Sequence, residues 1–210
     1  MGVSKLDMAM IKKILSVVLV LFFTTIVSSC QTVNTKTTTA DQTLSQVLKL
    51  AQSGNREAQF ELGSMFTSGQ GVKQNHQEAR NWYLKAANQG HAKAQYALGV
   101  MYDNGKGVKQ DYQDAYLYYL KAAEQGHAQA QFTIGLRYVS GKGVKQDYKE
   151  ALSWLLKADD QGILQVRYIL GLMYEDGHGV RQNKIIAKEW FTKACDAGDQ
   201  RGCYSYRVLN

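Results

Sequence analysis

Proline is absent, and the chain of 210 residues has only three cysteines. Without proline there are no proline-rich linkers, and glycine is left as the residue that stops helices. No Cys-x-x-Cys pair occurs, which excludes a zinc ribbon and a thioredoxin-type redox motif. The sequence also lacks Gly-x-Ser-x-Gly, Ser-x-x-Lys and His-Glu-x-x-His, so no hydrolase signature is present. The stretch from Gly99 to Lys106 has one residue too many for a phosphate-binding loop, and Gly107 stands where Ser or Thr is needed. The formal net charge of +7 is spread along the chain, too thinly to indicate a nucleic-acid partner.

What is present begins with a leader. Lys12 and Lys13 precede a run from Ile14 to Val27 that is apolar except for Ser16, Thr24 and Thr25. A basic segment followed by a short apolar one is the pattern of an export signal, and the run is shorter than the roughly 20 residues of a spanning helix. Met8 and Met10 are alternative starts. Val27, Ser28, Ser29 and Cys30 resemble a bacterial lipobox, which implies acylation of Cys30. The departures are Val27, where Leu is favoured, and Ser29, where Gly or Ala is. Gln31 is not Asp, which in the Gram-negative sorting rule implies the outer membrane, facing the periplasm. The alternative is cleavage nearby, for example after Ala40, leaving a soluble periplasmic or secreted protein. Residues 1–29 are thus read as signal and 30–43, rich in Thr, as a tether.

The remainder is periodic. Gly54, Gly90, Gly126, Gly162 and Gly198 recur every 36 residues, as do Gly63, Gly99, Gly135 and Gly171. Residues 90–125 and 126–161 match at about 20 of 36 positions, the mark of a stacked array. Each unit reads as two helices. Ala94, Leu98 and Tyr102 share one face of a first helix. Gly105 and Gly107 end it, and Gly99 lets the paired helix approach. Asp111 caps a second helix whose buried side carries Ala115, Tyr118, Tyr119 and Ala122, and Asn75, Asp147 and Asn183 repeat the cap. The fold expected is all-α: an α/α solenoid of four repeats at 54–89, 90–125, 126–161 and 162–197. Half-repeat caps at 44–53 and 198–210 close its ends.

The pattern Ala-x-Ala-Gln-Tyr-x-Leu-Gly-x-Met-Tyr-x-x-Gly-x-Gly-Val at 92–108 resembles the Sel-1-like repeat, a relative of the tetratricopeptide repeat, and covers about 44–210. Where that family has proline before the second helix, this chain has Gln110 and Gln146, which is expected to loosen the loop. The spacing of Cys195 and Cys203 across the turn at Gly198 allows a disulfide; a redox-active pair and two free thiols are the alternatives. The same Cys-x7-Cys bridge occurs in the cysteine-rich branch of the family.

The relation to tetratricopeptide repeats implies a concave face lined by first helices. Carried over through Gly99, its positions include Lys93, Tyr96, Val100, Asp103 and Asn104 in the second unit. Phe60 belongs to the first, Phe132 and Leu136 to the third, and Tyr168, Leu172 and Glu175 to the fourth. Phe60, Tyr96, Phe132 and Tyr168 form either a binding ladder or packing between first helices. Lys73, Lys109, Lys145 and Arg181 repeat as a basic edge, solvated or facing anionic lipid or cell-wall polymer.

The four histidines, His76, His91, His127 and His178, read as solvated helix-end residues, with no metal site. The pairs Asp103/Asp114 and Glu175/Asp176 read as polar face and caps, with no catalytic residue and no cofactor. The expected function is an envelope scaffold, monomeric and without nucleic acid, binding a protein, peptide or cell-wall-related partner. The alternative is a β-lactam-binding or β-lactamase-like hydrolase, as the cysteine-rich branch implies. A host-facing secreted factor is a third reading.

Overall fold

The computed structural model describes residues 43–209; Cys30, the leader and all but the end of the tether lie outside them. The chain falls into a unit ending at Lys49 and a unit from Leu50 onward. Among the described residues every regular element is a helix. Helix α1 covers 43–52. Four helix pairs follow: α2 (Arg56–Ser68) and α3 (His76–Asn88), α4 (Ala92–Asn104) and α5 (Tyr112–Glu124), α6 (Ala128–Ser140) and α7 (Tyr148–Asp160), α8 (Val166–Asp176) and α9 (Lys184–Asp196). Helix α10 (Gln200–Val208) packs on α9 and closes the array.

The period is also a period of burial. Leu62, Leu98, Ile134 and Leu170 occupy one position in successive first helices and are fully buried. Ala79, Ala115, Ala151 and Ala187 do the same in the second helices. The helix glycines explain how the pair closes. A Cβ on Gly99 would stand 2.6 Å from the ring of Tyr119, and one on Gly135 would stand 2.7 Å from Leu155. The bulk of the second helix therefore fills the space the glycine leaves.

Caps fix where helices begin. The side chains of Asn75, Asp111, Asp147 and Asn183 each accept from two backbone amides of the first turn of α3, α5, α7 and α9. The loop before them is tied rather than loosened. Gln74, Gln110, Gln146 and Gln182 each donate Nε2 to a carbonyl seven residues back, at 2.6 Å for Gln110 to Asp103. The glutamine side chain thus holds the end of the first helix and does, by hydrogen bonding, what proline would do by stiffness.

Repeat follows repeat through buried first-helix glutamines, each bonded to a carbonyl of the preceding helix and paired with a glutamine of its own repeat. Gln59 donates to the Ala51 carbonyl at 3.1 Å and accepts from Gln89 at 2.8 Å. Gln95 with Gln125, and Gln131 with Gln161, repeat the arrangement. Buried amides must be satisfied, so each pair also fixes the spacing of neighbouring repeats. At the last junction Arg167 donates instead to the Asp159 carboxylate at 2.8 Å. At the C-terminus Cys195 and Cys203 are bonded, with Cα atoms 4.6 Å apart. Gly202 makes the approach possible, since a Cβ there would lie 2.6 Å from that of Ala194.

Candidate binding face

The first helices α2, α4, α6 and α8 carry the aromatic position of each repeat. Phe60 stacks on the His91 imidazole at 4.7 Å and touches the Tyr83 ring at 5.7 Å. Tyr96 stacks on His127 at 4.8 Å and touches Tyr119 at 5.4 Å. Phe132 packs with Ile163 against the cluster of Leu155 and Leu170. Tyr168 meets Phe191 at 5.7 Å and carries the Arg201 guanidinium over its ring at 4.6 Å. All four rings are half-buried. The rings pack between repeats and also reach the surface.

Of the four histidines expected to be solvated, His178 is exposed, His76 and His127 are half-buried and His91 is buried. His91 is 7% exposed; its Nδ1 accepts from the Ala94 amide at 3.1 Å, and its Nε2 faces Glu57 at 2.9 Å. An Nδ1 that accepts puts the proton on Nε2, which donates to the carboxylate. His127 caps α6 in the same way through Ala130. Burial and the neighbouring Lys93 ammonium hold its imidazole below its ordinary pKa. His178 stacks on Tyr148 at 4.4 Å.

A cavity of about 420 Å³ opens between the first and second repeats. Its apolar wall is Phe60, Tyr83, Tyr96, Ala97, Val100 and Met101. Its polar groups are Thr67, His76, Lys93, Lys106 and His127, with no carboxylate. Four expected positions, Phe60, Lys93, Tyr96 and Val100, meet here. Phe132, Leu136, Tyr168, Leu172 and Glu175 lie outside this cavity, and the Asn104 amide is turned back onto the Val100 carbonyl at 2.8 Å.

Asp103 is not free to meet a partner. Arg137 Nη2 stands 2.6 Å from its carboxylate and Lys142 Nζ 3.2 Å. Burial pushes the Asp103 carboxyl up, but hydrogen bonds from Arg137 and Lys142 outweigh it and hold the group below its ordinary value. Asp114 lies in the first turn of α5, where its amide is capped by Asp111. Asp176 faces His178 at 3.9 Å. Lys73, Lys109, Lys145 and Arg181 are exposed. Thr67, the first repeat's counterpart of Asp103 on the expected face, also lines the cavity, whereas His76 and Lys106 escaped the sequence reading as binding residues. The signal that could have found them is a break in the repeat: Arg137 stands where the other units have Met65, Met101 and Met173.

Among the described residues no group of three or more His, Cys, Asp or Glu side chains could hold a metal ion. Among them, too, no helix is long and apolar enough to cross a membrane.

The geometry defines an α/α repeat solenoid whose first-helix face carries an open cavity. The Sel1 repeat profile matches residues 56–91, 92–127, 128–163 and 166–199, and the chain belongs to the Sel1 repeat family. Proteins of this family generally serve as protein-interaction scaffolds. The chain is similar to the crystal structure of a protective antigen of uropathogenic Escherichia coli displaying an SLR fold. That match has 39% identity and a TM-score of 0.73, covering 76% of this chain and 34% of the antigen. The chain thus spans about a third of the antigen's length. It is also similar to a Sel1 repeat protein from Oxalobacter formigenes, with 35% identity, a TM-score of 0.76 and coverage of 79% and 68%. No curated protein matches the chain.

Proposed function

We propose that this protein is an exported scaffold of a bacterial cell envelope that holds a protein or peptide partner on its first-helix face. Cys30 is the acylated anchor in this reading and residues 30–43 the tether, with the solenoid on the periplasmic side of the outer membrane. A partner concerned with the cell wall suits that location. The observation that carries the binding reading is the meeting of Phe60, Lys93, Tyr96 and Val100 at one cavity. Concave sites that bury apolar groups beside a few polar ones are where ligands dock, and aromatic anchors dominate such contacts.

A photoreactive amino acid at Val100, followed by mass spectrometry of crosslinked cells, tests the face. Specific adducts are expected from Val100 and not from exposed Ser153 on α7; equal yields from both would refute it. The anchor is tested apart from the face. Cys30→Ala should abolish membrane fractionation and fatty-acid labelling, and an unchanged membrane pool would remove it from the proposal.

A further inference from the structure

Equivalent spaces at successive repeat junctions are filled differently. Between the second and third repeats the protein fills the space itself. The buried Arg137 side chain lies over the Tyr119 ring at 5.4 Å and meets Asp103 at 2.6 Å, with Lys142 as a second cation at 3.2 Å. Between the first and second repeats, the positions of Arg137, Asp103 and Tyr112 are held by Met101, Thr67 and His76. There the space is the open cavity of about 420 Å³. The cation equivalent to Lys142 remains as Lys106, and Lys93 joins it. The carboxylate that answers such cations at the next junction is missing. His76 Nδ1 is buried there without a hydrogen-bond partner, a state that calls for one.

We infer that this cavity is a socket for one stretch of a partner peptide: an acidic residue beside an aliphatic or aromatic side chain. The apolar group enters between Phe60 and Tyr96. The carboxylate takes the place that Asp103 fills at the next junction, facing Lys106, Lys93 and His76. The cavity is near the small end of the roughly 300–1,000 Å³ of ligand pockets, which suits one or two side chains rather than a long polymer. Charge complementarity sets the choice, since a basic or neutral segment would leave the lysines and His76 unanswered. This inference rests on the protein-binding reading above and specifies what that face selects.

A random peptide library displayed on phage and selected against the purified full chain tests it. Enrichment of sequences pairing Asp or Glu with Leu, Phe, Tyr or Trp is expected. Enrichment of basic or uncharged sequences, or of none, would overturn the socket. The enriched peptide is then synthesised with a fluorophore and titrated. Thr67→Asp combined with Met101→Arg copies the filled junction into the open one, so the double variant should fold, as helical circular dichroism can verify, and lose binding. Lys106→Gln should weaken binding about tenfold, the loss of one charge-assisted hydrogen bond. Wild-type affinity in the double variant refutes the socket. If binding then proves sensitive to Leu136→Ala instead, the scaffold reading survives and only this inference falls.

Discussion

At the start of α2, α4, α6 and α10 a side chain closes the first turn: Asn55, His91, His127 and Asp199. At the start of α8 none does. The equivalent residue is Ile163, which cannot accept a hydrogen bond, and α8 has 11 residues where the other first helices have 13. The two missing residues go with the lost cap: residues 164–165 remain a turn, and the Val166 and Arg167 amides bond instead to the Ile163 and Leu164 carbonyls at 3.2 Å. The glutamine pair is lost at the same junction, replaced by Arg167 and Asp159. Helices α7 and α8 also share a smaller interface than α5 and α6 do. The first three repeats are thus joined by a repeated glutamine contact. The fourth is joined more weakly and is followed by the disulfide. A linear array is only as stable as its nearest-neighbour contacts, and the bridge ties α9 to α10 beyond the weakly joined α7 and α8.

The largest effect is expected inside the well-joined region. Asp103→Ala leaves the buried Arg137 guanidinium with no carboxylate and should cost about 3 kcal/mol. Arg137→Met restores the residue of the other repeats, leaves Asp103 with Lys142, and should be near neutral in stability. Urea unfolding of both variants checks the asymmetry; equal losses would show that the pair acts through packing alone. The wild-type contribution has a definite pH sense. The folded carboxyl titrates below its ordinary value of 3.8, so its stabilisation is present above that value and lost as pH falls further.

The second effect lies at the other end. Replacing Cys195 and Cys203 together with serine should cost roughly 2–3 kcal/mol, the chain-entropy value for so short a loop. The loss should appear as faster amide exchange in α9 and α10 while α2–α7 keep their protection. Uniform loss along the array would mean that the four repeats unfold as one unit and that the comparison has no energetic meaning.

Much of this contrast lies in local residues, and there the sequence was legible. The caps at Asn75, Asp111, Asp147 and Asn183 and the glycines at helix ends depend on backbone needs within a few residues, which composition and spacing reveal. Gln59, Gln95 and Gln131 recur as plainly, but their partners Gln89, Gln125 and Gln161 lie thirty residues away, and nothing local says that they meet. The same holds for Asp103 and Arg137. Their pairing, and the cavity where the equivalent pair is missing, depend on which side chains face each other across a junction. Gln110 was misread for a related reason: its side chain acts on the helix before it, as a tie rather than a hinge.

The smallest effect tests the cap itself. Ile163→His places at α8 the residue that caps α4 and α6, and the ring can pack on Phe132 as His127 does on Tyr96. The expected gain is about 1 kcal/mol, the usual worth of an N-cap, seen as a higher melting temperature at pH 8. Its pH dependence identifies the cause. A capping Nδ1 must be unprotonated to accept, and the existing case, His127, is held below its ordinary value by burial and by Lys93. With the folded pKa below the unfolded one, stabilisation is complete above about 6.5 and is lost as pH falls through that value toward the folded pKa. The gain should therefore be present at pH 8 and absent at pH 5. A gain equal at both pH values would assign the effect to ring packing on Phe132 and leave the short α8 without its explanation.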